Sequence, residues 1–290
     1  MTMPPLLVNT RDFARELLAE WSKDDALSLG AALAYYTIFS MAPLLVLVIA
    51  IAGLVFGRAA AQGEIVTQIQ DTMGPAGAQM IEGMIAHASR PSSGVVATVV
   101  SLLTMGFGAS GVFAQLQSSL NKIWEVDRTK SSGIRGQVTR RATAFGMILG
   151  IGLLLFLSLA ASAALSGLHE LLGARSPVLA EVLPIANFSI SFAVVTALFA
   201  MIFKVLPDVR IEWRDVWLGA AVTALLFTIG KALIALYLGH AGITSVYGAA
   251  GSLVLVLLWI YYSAQILFLG AEFTEVYSRR YGSRRGDARP

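Results

Sequence analysis

At 290 residues, 56% hydrophobic and only 13% charged, the chain carries about half the charge of an ordinary soluble domain and has too little polar surface for a water-soluble fold. Its formal net charge of +3 is no nucleic-acid signature, and the lack of cysteine excludes disulfides, thiolate metal sites and cysteine catalysis.

Six stretches meet the need for about 20 mostly apolar residues per bilayer-crossing helix: 29–56, 93–114, 142–165, 184–206, 215–238 and 249–272. They are continuous rather than alternating, which excludes a membrane barrel built from period-two segments of about 10 residues. The expected fold is therefore all-α. Six transmembrane helices fill 28–273, an amphipathic segment occupies 1–27, and a basic, disordered tail follows at 274–290.

In chain order, RDFARELLAEWSK at 11–23 places Phe13, Leu17 and Trp21 at spacings of four, with charges on the other face. This predicts a helix lying in the cytoplasmic interface. No short apolar region with a cleavage site precedes the first span, which serves as its own insertion signal.

The first span contains GAALAYYTIFSMAPLL at 30–45, with Tyr35 and Tyr36 adjacent. Tyr36, Ser40 and Pro43 share a helical face. Pro43 lacks an N–H and crowds the Phe39 carbonyl, so a kink and a freed acceptor are expected there. The following loop of about 35 residues is too long for a mere connector. It splits at Gly74-Pro75 into two helical pieces, one carrying Ile65 and Ile69, the other Met80, Ile81, Met84 and Ile85. An amphipathic hairpin is expected on the outer side, either entering the bundle or packed against its own spans.

After the second span, QLQSSLNKIWEV puts Leu116, Leu120, Ile123 and Trp124 on one face, with Gln117 and Asn121 opposite and Trp124 suited to the headgroup layer. Gly53-x-x-x-Gly57 and Gly146-x-x-x-Gly150 are expected to let helices approach closely. In the fifth span Lys231 continues a stripe of Thr228, Ala224 and Thr223; it either snorkels to the interface or meets an anion such as a lipid phosphate or carboxylate. The sixth span carries Tyr261 and Tyr262, with Tyr261, Gln265 and Glu272 on one face.

Polar groups at membrane depth face the bundle interior or a water-filled path. Tyr35, Tyr36, Ser40 and Pro43 of the first span, with Tyr261, Tyr262, Gln265 and Glu272 of the sixth, therefore form a candidate polar cavity. The alternative is a hydrogen-bonded seam that only holds the helices together.

Lys and Arg set the orientation. Seventeen of the 21 lie before the first span, after the second, between the fourth and fifth, and in the tail. The opposite loops hold only Arg58, Arg90 and Arg175, so both termini are expected in the cytoplasm. The Arg-rich tail is read as attracted to anionic headgroups, not to nucleic acid.

AALAYYTIFSMAPLL, the LQSSLNKIW run and YGAAGSLVLVLLWIYYSAQILFLGAEF together resemble the YihY/BrkB family of bacterial inner-membrane proteins, over roughly residues 10–277. The resemblance implies a six-span helical fold at the inner membrane. Members were once labelled ribonuclease BN, others are named for virulence and serum resistance, and envelope or lipid transport has been proposed for the family.

Catalysis is not expected. The histidines, His87, His169 and His240, fall in three different outer loops with no metal-ligand spacing, and no nucleophile elbow or Walker loop occurs. Gly106 to Gly111 spells G-x-G-x-x-G inside a span without a preceding strand, so it reads as helix packing. No metal or cofactor is expected. The functional expectation is movement or handling of a lipid, amphiphile or small metabolite, with membrane lipids as partners. The alternative is a non-catalytic scaffold that docks envelope proteins through its hairpin and tail.

Overall fold

The computed structural model describes residues 10–88, 111–126, 177–240 and 250–285, with residues 146, 150, 153 and 154 besides. All the regular structure described is helical: α1 (Thr10–Lys23), α2 (Ala26–Phe56), α3 (Arg58–Ala88), α4 (111–123), α5 (Pro177–Val205), α6 (Trp213–His240) and α7 (Gly251–Arg280). Four stretches are long and apolar enough to cross a membrane: Ala26–Val46, Val182–Val205, Trp213–Ile234 and Gly251–Arg280. They fall on the expected first, fourth, fifth and sixth spans. The second and third spans lie almost wholly outside the described residues.

Glycine sets the breaks. Gly57, at φ 83°, ends α2 with its N–H on the Gly53 carbonyl at 3.0 Å. Gly53 and Gly57 turn the chain, and a Cβ on Gly53 would meet the backbone of Arg58, where α3 begins. Gly150 lies against another helix, facing Met201 of α5, whereas no described residue lies within 4 Å of a Cβ on Gly146. Gly74, at φ 77°, splits α3 before Pro75, as the sequence predicted. Ile81 and Ile85 of the second half are fully buried with Ala34 and Ile49 of α2 and Leu255, Val256 and Ile260 of α7. Ile65, Ile69, Met80 and Met84 pack around them, so the hairpin lies against the first and sixth spans.

Helix α7 packs against α6, α2, α1 and α3, and α5 packs on α6. The α6–α7 seam is antiparallel and built from reciprocal glycines. A Cβ on Gly219 would run into the Thr274 side chain, and one on Gly270 into that of Thr223. Each threonine hydroxyl donates within its own helix, Thr223 to the Gly219 carbonyl and Thr274 to the Gly270 carbonyl, both at 2.7 Å. Further along, Gly230 abuts Tyr262 and Ile266.

At about 1.5 Å per residue, the 30 residues of α7 span about 45 Å, longer than a hydrocarbon core of about 30 Å. Its C-terminal turns, expected to be disordered from residue 274, are helical to Arg280, and the chain stays structured to Arg285. Specific bonds supply the order that composition did not suggest. Arg279 pairs with Glu16 at 2.6 Å and with Glu275 at 3.3 Å, and Arg280 pairs with Glu16. Ser283 donates its N–H and hydroxyl to the buried Asp215, each at 2.7 Å.

Helix α1 accordingly docks on α7, with the Phe13 ring edge-on to Phe273 at 5.3 Å. Two further expectations change at this end. Trp124 is not in a headgroup layer: only 1% is exposed, and the Arg284 guanidinium lies over its ring at 5.8 Å. Gln117 and Asn121 are buried, and Asn121 holds Asp208 by two bonds of 2.9 and 2.8 Å, tying α4 to the α5–α6 connection. The described parts of the four Lys/Arg-rich segments thus meet at one end of the bundle.

Candidate functional site

At that end, α1 turns into α2 at Asp24-Asp25. Asp25 is left-handed at φ 54°, and so is Glu125 at φ 49° where α4 ends. Such caps usually take glycine. Lysines brace the two corners reciprocally: Lys23 Nζ meets Glu125 Oε1 at 2.6 Å, and Lys122 Nζ donates to the Asp24 carbonyl. The Glu125 bond holds Lys23 above its ordinary pKa, against partial burial. Burial pushes the Asp24 carboxyl above the usual carboxylate range, against the pull of Lys23 and Lys122.

The corner lies against α7. Gln265 Nε2 donates to the Ala26 carbonyl at 3.3 Å, in a slot opened by Gly30, where a Cβ would meet the Gln265 amide and approach the Tyr261 ring. Among the described residues, Gln265 Oε1 is buried with no hydrogen-bond partner. Two turns on, about 10 Å along the same face, Glu272 is 1% exposed, and its Oε1 has no hydrogen-bond partner among the described residues. Tyr261 and Gln265 thus face the start of the first span, and Glu272 is buried further along α7.

The first span's own polar stripe does not face back. The α2 surface turned to α7 is Ala26, Gly30 and Ala34. Tyr36 lies two residues beyond Ala34, about 200° round the helix. Tyr36 and Ser40 instead approach Gly111, each 3.5 Å from where its Cβ would sit. Ser40 is buried, whereas Tyr35, Tyr36 and Phe39 form an exposed aromatic patch with ring centroids 5.8 Å (Tyr35–Tyr36) and 4.8 Å (Tyr35–Phe39) apart. Pro43 is partly buried, and α2 runs on through it. Tyr262 turns to α6 at Gly230.

Lys231 is exposed, although Thr223 and Ala224 of its expected stripe are fully buried. His87 is exposed with its Nδ1 2.8 Å from the Gly83 carbonyl; His169 lies outside the described residues, and His240 ends α6. Among the described residues no group of three His, Asp or Glu side chains is placed to hold a metal. Sequence reasoning missed Asp24, Glu16, Glu20, Asp208 and Asp215. All but Asp215, which begins the fifth span, are acidic residues outside a span, and the importance of each comes from a distant partner that no local pattern reveals.

The chain matches the family model described as "Virulence factor BrkB" over residues 17–290. It is 29% identical over 266 residues to a "UPF0761 membrane protein" of Verminephrobacter eiseniae, covering 89% of this chain and 60% of the relative. To one of Pseudomonas aeruginosa it is 26% identical over 262 residues, 90% and 61% of the two chains. One of Tolumonas auensis is 30% identical over 185 residues, 61% of this chain and 56% of the relative. The chain thus spans about 60% of the length of these relatives. No solved structure matches it. With four helices able to cross a membrane and a family match over nearly its whole length, the chain is a multi-pass integral membrane protein of the BrkB family.

Proposed function

We propose that this chain moves or handles a lipid, another amphiphile or a small metabolite at the bacterial inner membrane, and that the groove between the start of α2 and α7 is its polar contact. One observation carries the reading: the Gln265 amide is held by its nitrogen at the Gly30 slot beside Tyr261, and its oxygen is buried with no hydrogen-bond partner among the described residues. A buried acceptor left empty costs about 1–3 kcal/mol. A substrate hydroxyl, amine or amide N–H would satisfy it.

Six spans with both termini in the cytoplasm complete the proposal, and two observations support them. Seventeen of 21 Lys and Arg lie in four segments, and the described parts of these meet at one end of the bundle. No catalytic role is assigned, and the ribonuclease label is disfavoured. The scaffold alternative relied partly on an open Arg-rich tail, but Arg279 and Arg280 are turned inward onto α1.

The test compares the lipids and metabolites retained by deletion cells complemented with wild type or with Gln265→Leu. The variant is expected to insert at wild-type levels and to leave the deletion profile uncorrected. A fully corrected profile would sink the role of Gln265, and no difference between deletion and wild type would favour the scaffold.

A further inference from the structure

The start of α6 carries a surface that the Gln265 groove does not use. Trp213, Arg214, Trp217 and Leu218 are all exposed, and at spacings of three and four they adjoin one another on the helix. Lys204 reaches over from α5, its Nζ 5.4 Å from the centroid of the Trp213 ring and bonded to the Ile211 carbonyl. Arg210, just before the helix, is exposed too, and among the described residues neither it nor Arg214 has an ionic partner. Of the neighbouring acids, Asp208 is held by Asn121 and Asp215 by Ser283. Glu212 remains, one carboxylate against three cations. The first amides of α6 are already taken, those of Asp215 and Val216 both by the Glu212 carbonyl at 3.2 Å. Side chains, not the helix end, therefore define this surface.

Its level is that of a membrane boundary. Trp213 opens the apolar stretch of α6, whose 22 residues span about 33 Å, close to a hydrocarbon core of about 30 Å. Along it Leu218, Leu225, Ile229, Leu233 and Leu236 follow one another at helical spacing, all exposed. The described points of the second and third spans lie elsewhere, Gly111 against Tyr36 and Ser40 of α2 and Gly150 against Met201 of α5. We propose that the entry of α6 binds a phospholipid with an anionic headgroup. Its acyl chains lie on the leucine stripe, and its phosphate meets the guanidinium groups of Arg210 and Arg214, whose planar donors suit a phosphate. Trp213, held by Lys204, and Trp217 wall the headgroup at the depth that tryptophan favours. The excess of cations selects a net negative headgroup over a zwitterion, whose ammonium it repels. The site stands independently of what the Gln265 groove binds.

Quenching of tryptophan fluorescence tests it, in the full chain reconstituted with phosphatidylglycerol or phosphatidylcholine brominated high on the acyl chains. Of the five tryptophans, Trp213 and Trp217 are exposed, Trp21 and Trp259 are partly buried and Trp124 is buried. Brominated phosphatidylglycerol is expected to quench at lower mole fraction than its zwitterionic counterpart. Arg210→Gln or Arg214→Gln should lower that preference about fivefold, the weight of one basic residue at an anionic surface. Replacing Trp213 and Trp217 together by phenylalanine should abolish the preference, because the reporters are then gone. Equal quenching by the two lipids in wild type overturns the site, and so does a preference that both arginine variants retain. A preference that survives the loss of both tryptophans places the lipid elsewhere and overturns it as well.

Discussion

The two long faces of α7 use the same device to different ends. Towards α6, Gly219 receives Thr274 and Gly270 receives Thr223, and each hydroxyl is bonded inside its own helix. The threonine hydroxyls themselves lie in the glycine gaps, each already bonded. Towards α2, Gly30 receives an amide instead, whose nitrogen reaches Ala26, while among the described residues its oxygen and one oxygen of Glu272 further along have no hydrogen-bond partner. A seam that only joined helices would be cheaper built the first way. Unpaired polar atoms in the interior invite a water, a proton or a ligand. The α6–α7 seam is therefore closed by its own bonds, and the α2–α7 seam keeps the buried polar atoms on which the proposed function rests.

The sharpest way to break this comparison is to add one methyl to each seam. Gly270→Ala meets the bonded Thr223 side chain, which has no room to move, and should cost about 1–3 kcal/mol. Gly30→Ala meets the far end of Gln265, which can swing aside and lose only its bond to Ala26, at about 0.5–1.5 kcal/mol. Thermal unfolding of the two proteins in the same detergent checks the order. Equal losses would erase the distinction between the seams.

The helices were legible because apolar runs of bilayer length and glycine breaks are local signals: Gly74 splits α3 at the expected residue. The stripe of Tyr261, Gln265 and Glu272 was legible for the same reason, since spacing along one helix fixes a shared face. What it faces was not. Tyr36 and Ser40 share a face too, but the rotation of α2 about its axis is set by Gly30 and Ala34 packing on α7, and this turns the tyrosines away. The glycine seam escaped notice because it reads Gly-x-x-x-Thr in each helix, and neither copy means anything until the other is laid against it. The tail was misread because its arginines look like a solvated cluster until Glu16, some 260 residues earlier in the chain, is brought beside them.

A smaller effect follows from pH. Asp24 is held above its unfolded value by burial, so the folded chain binds more protons than the unfolded one. Its contribution is full below the unfolded carboxylate range and is lost as pH rises through the folded value. Lys23, raised by Glu125, has the same sign in the alkaline range: its contribution is lost as pH rises through its own folded value. Asp24→Asn should flatten the fall that begins above the ordinary carboxylate range and leave the fall set by Lys23 in place. A profile unchanged above the carboxylate range would remove Asp24 from the account.

The smallest effect separates the two left-handed caps. Asp25 makes no side-chain cap bond and is exposed, so Asp25→Gly relieves a conformation that costs an L-residue about 1–2 kcal/mol. Glycine's extra chain entropy returns about 0.5–1 kcal/mol of that, leaving a gain near 0.5 kcal/mol. Glu125→Gly relieves the same strain but loses the 2.6 Å bond to Lys23, an exposed pair worth about 0.2–1 kcal/mol. The first variant should therefore unfold at a slightly higher temperature than wild type and the second at about the same one. A gain as large in Glu125→Gly would mean that the lysine bracing between the corners contributes nothing, and that α7 alone holds the α1–α2 corner in place.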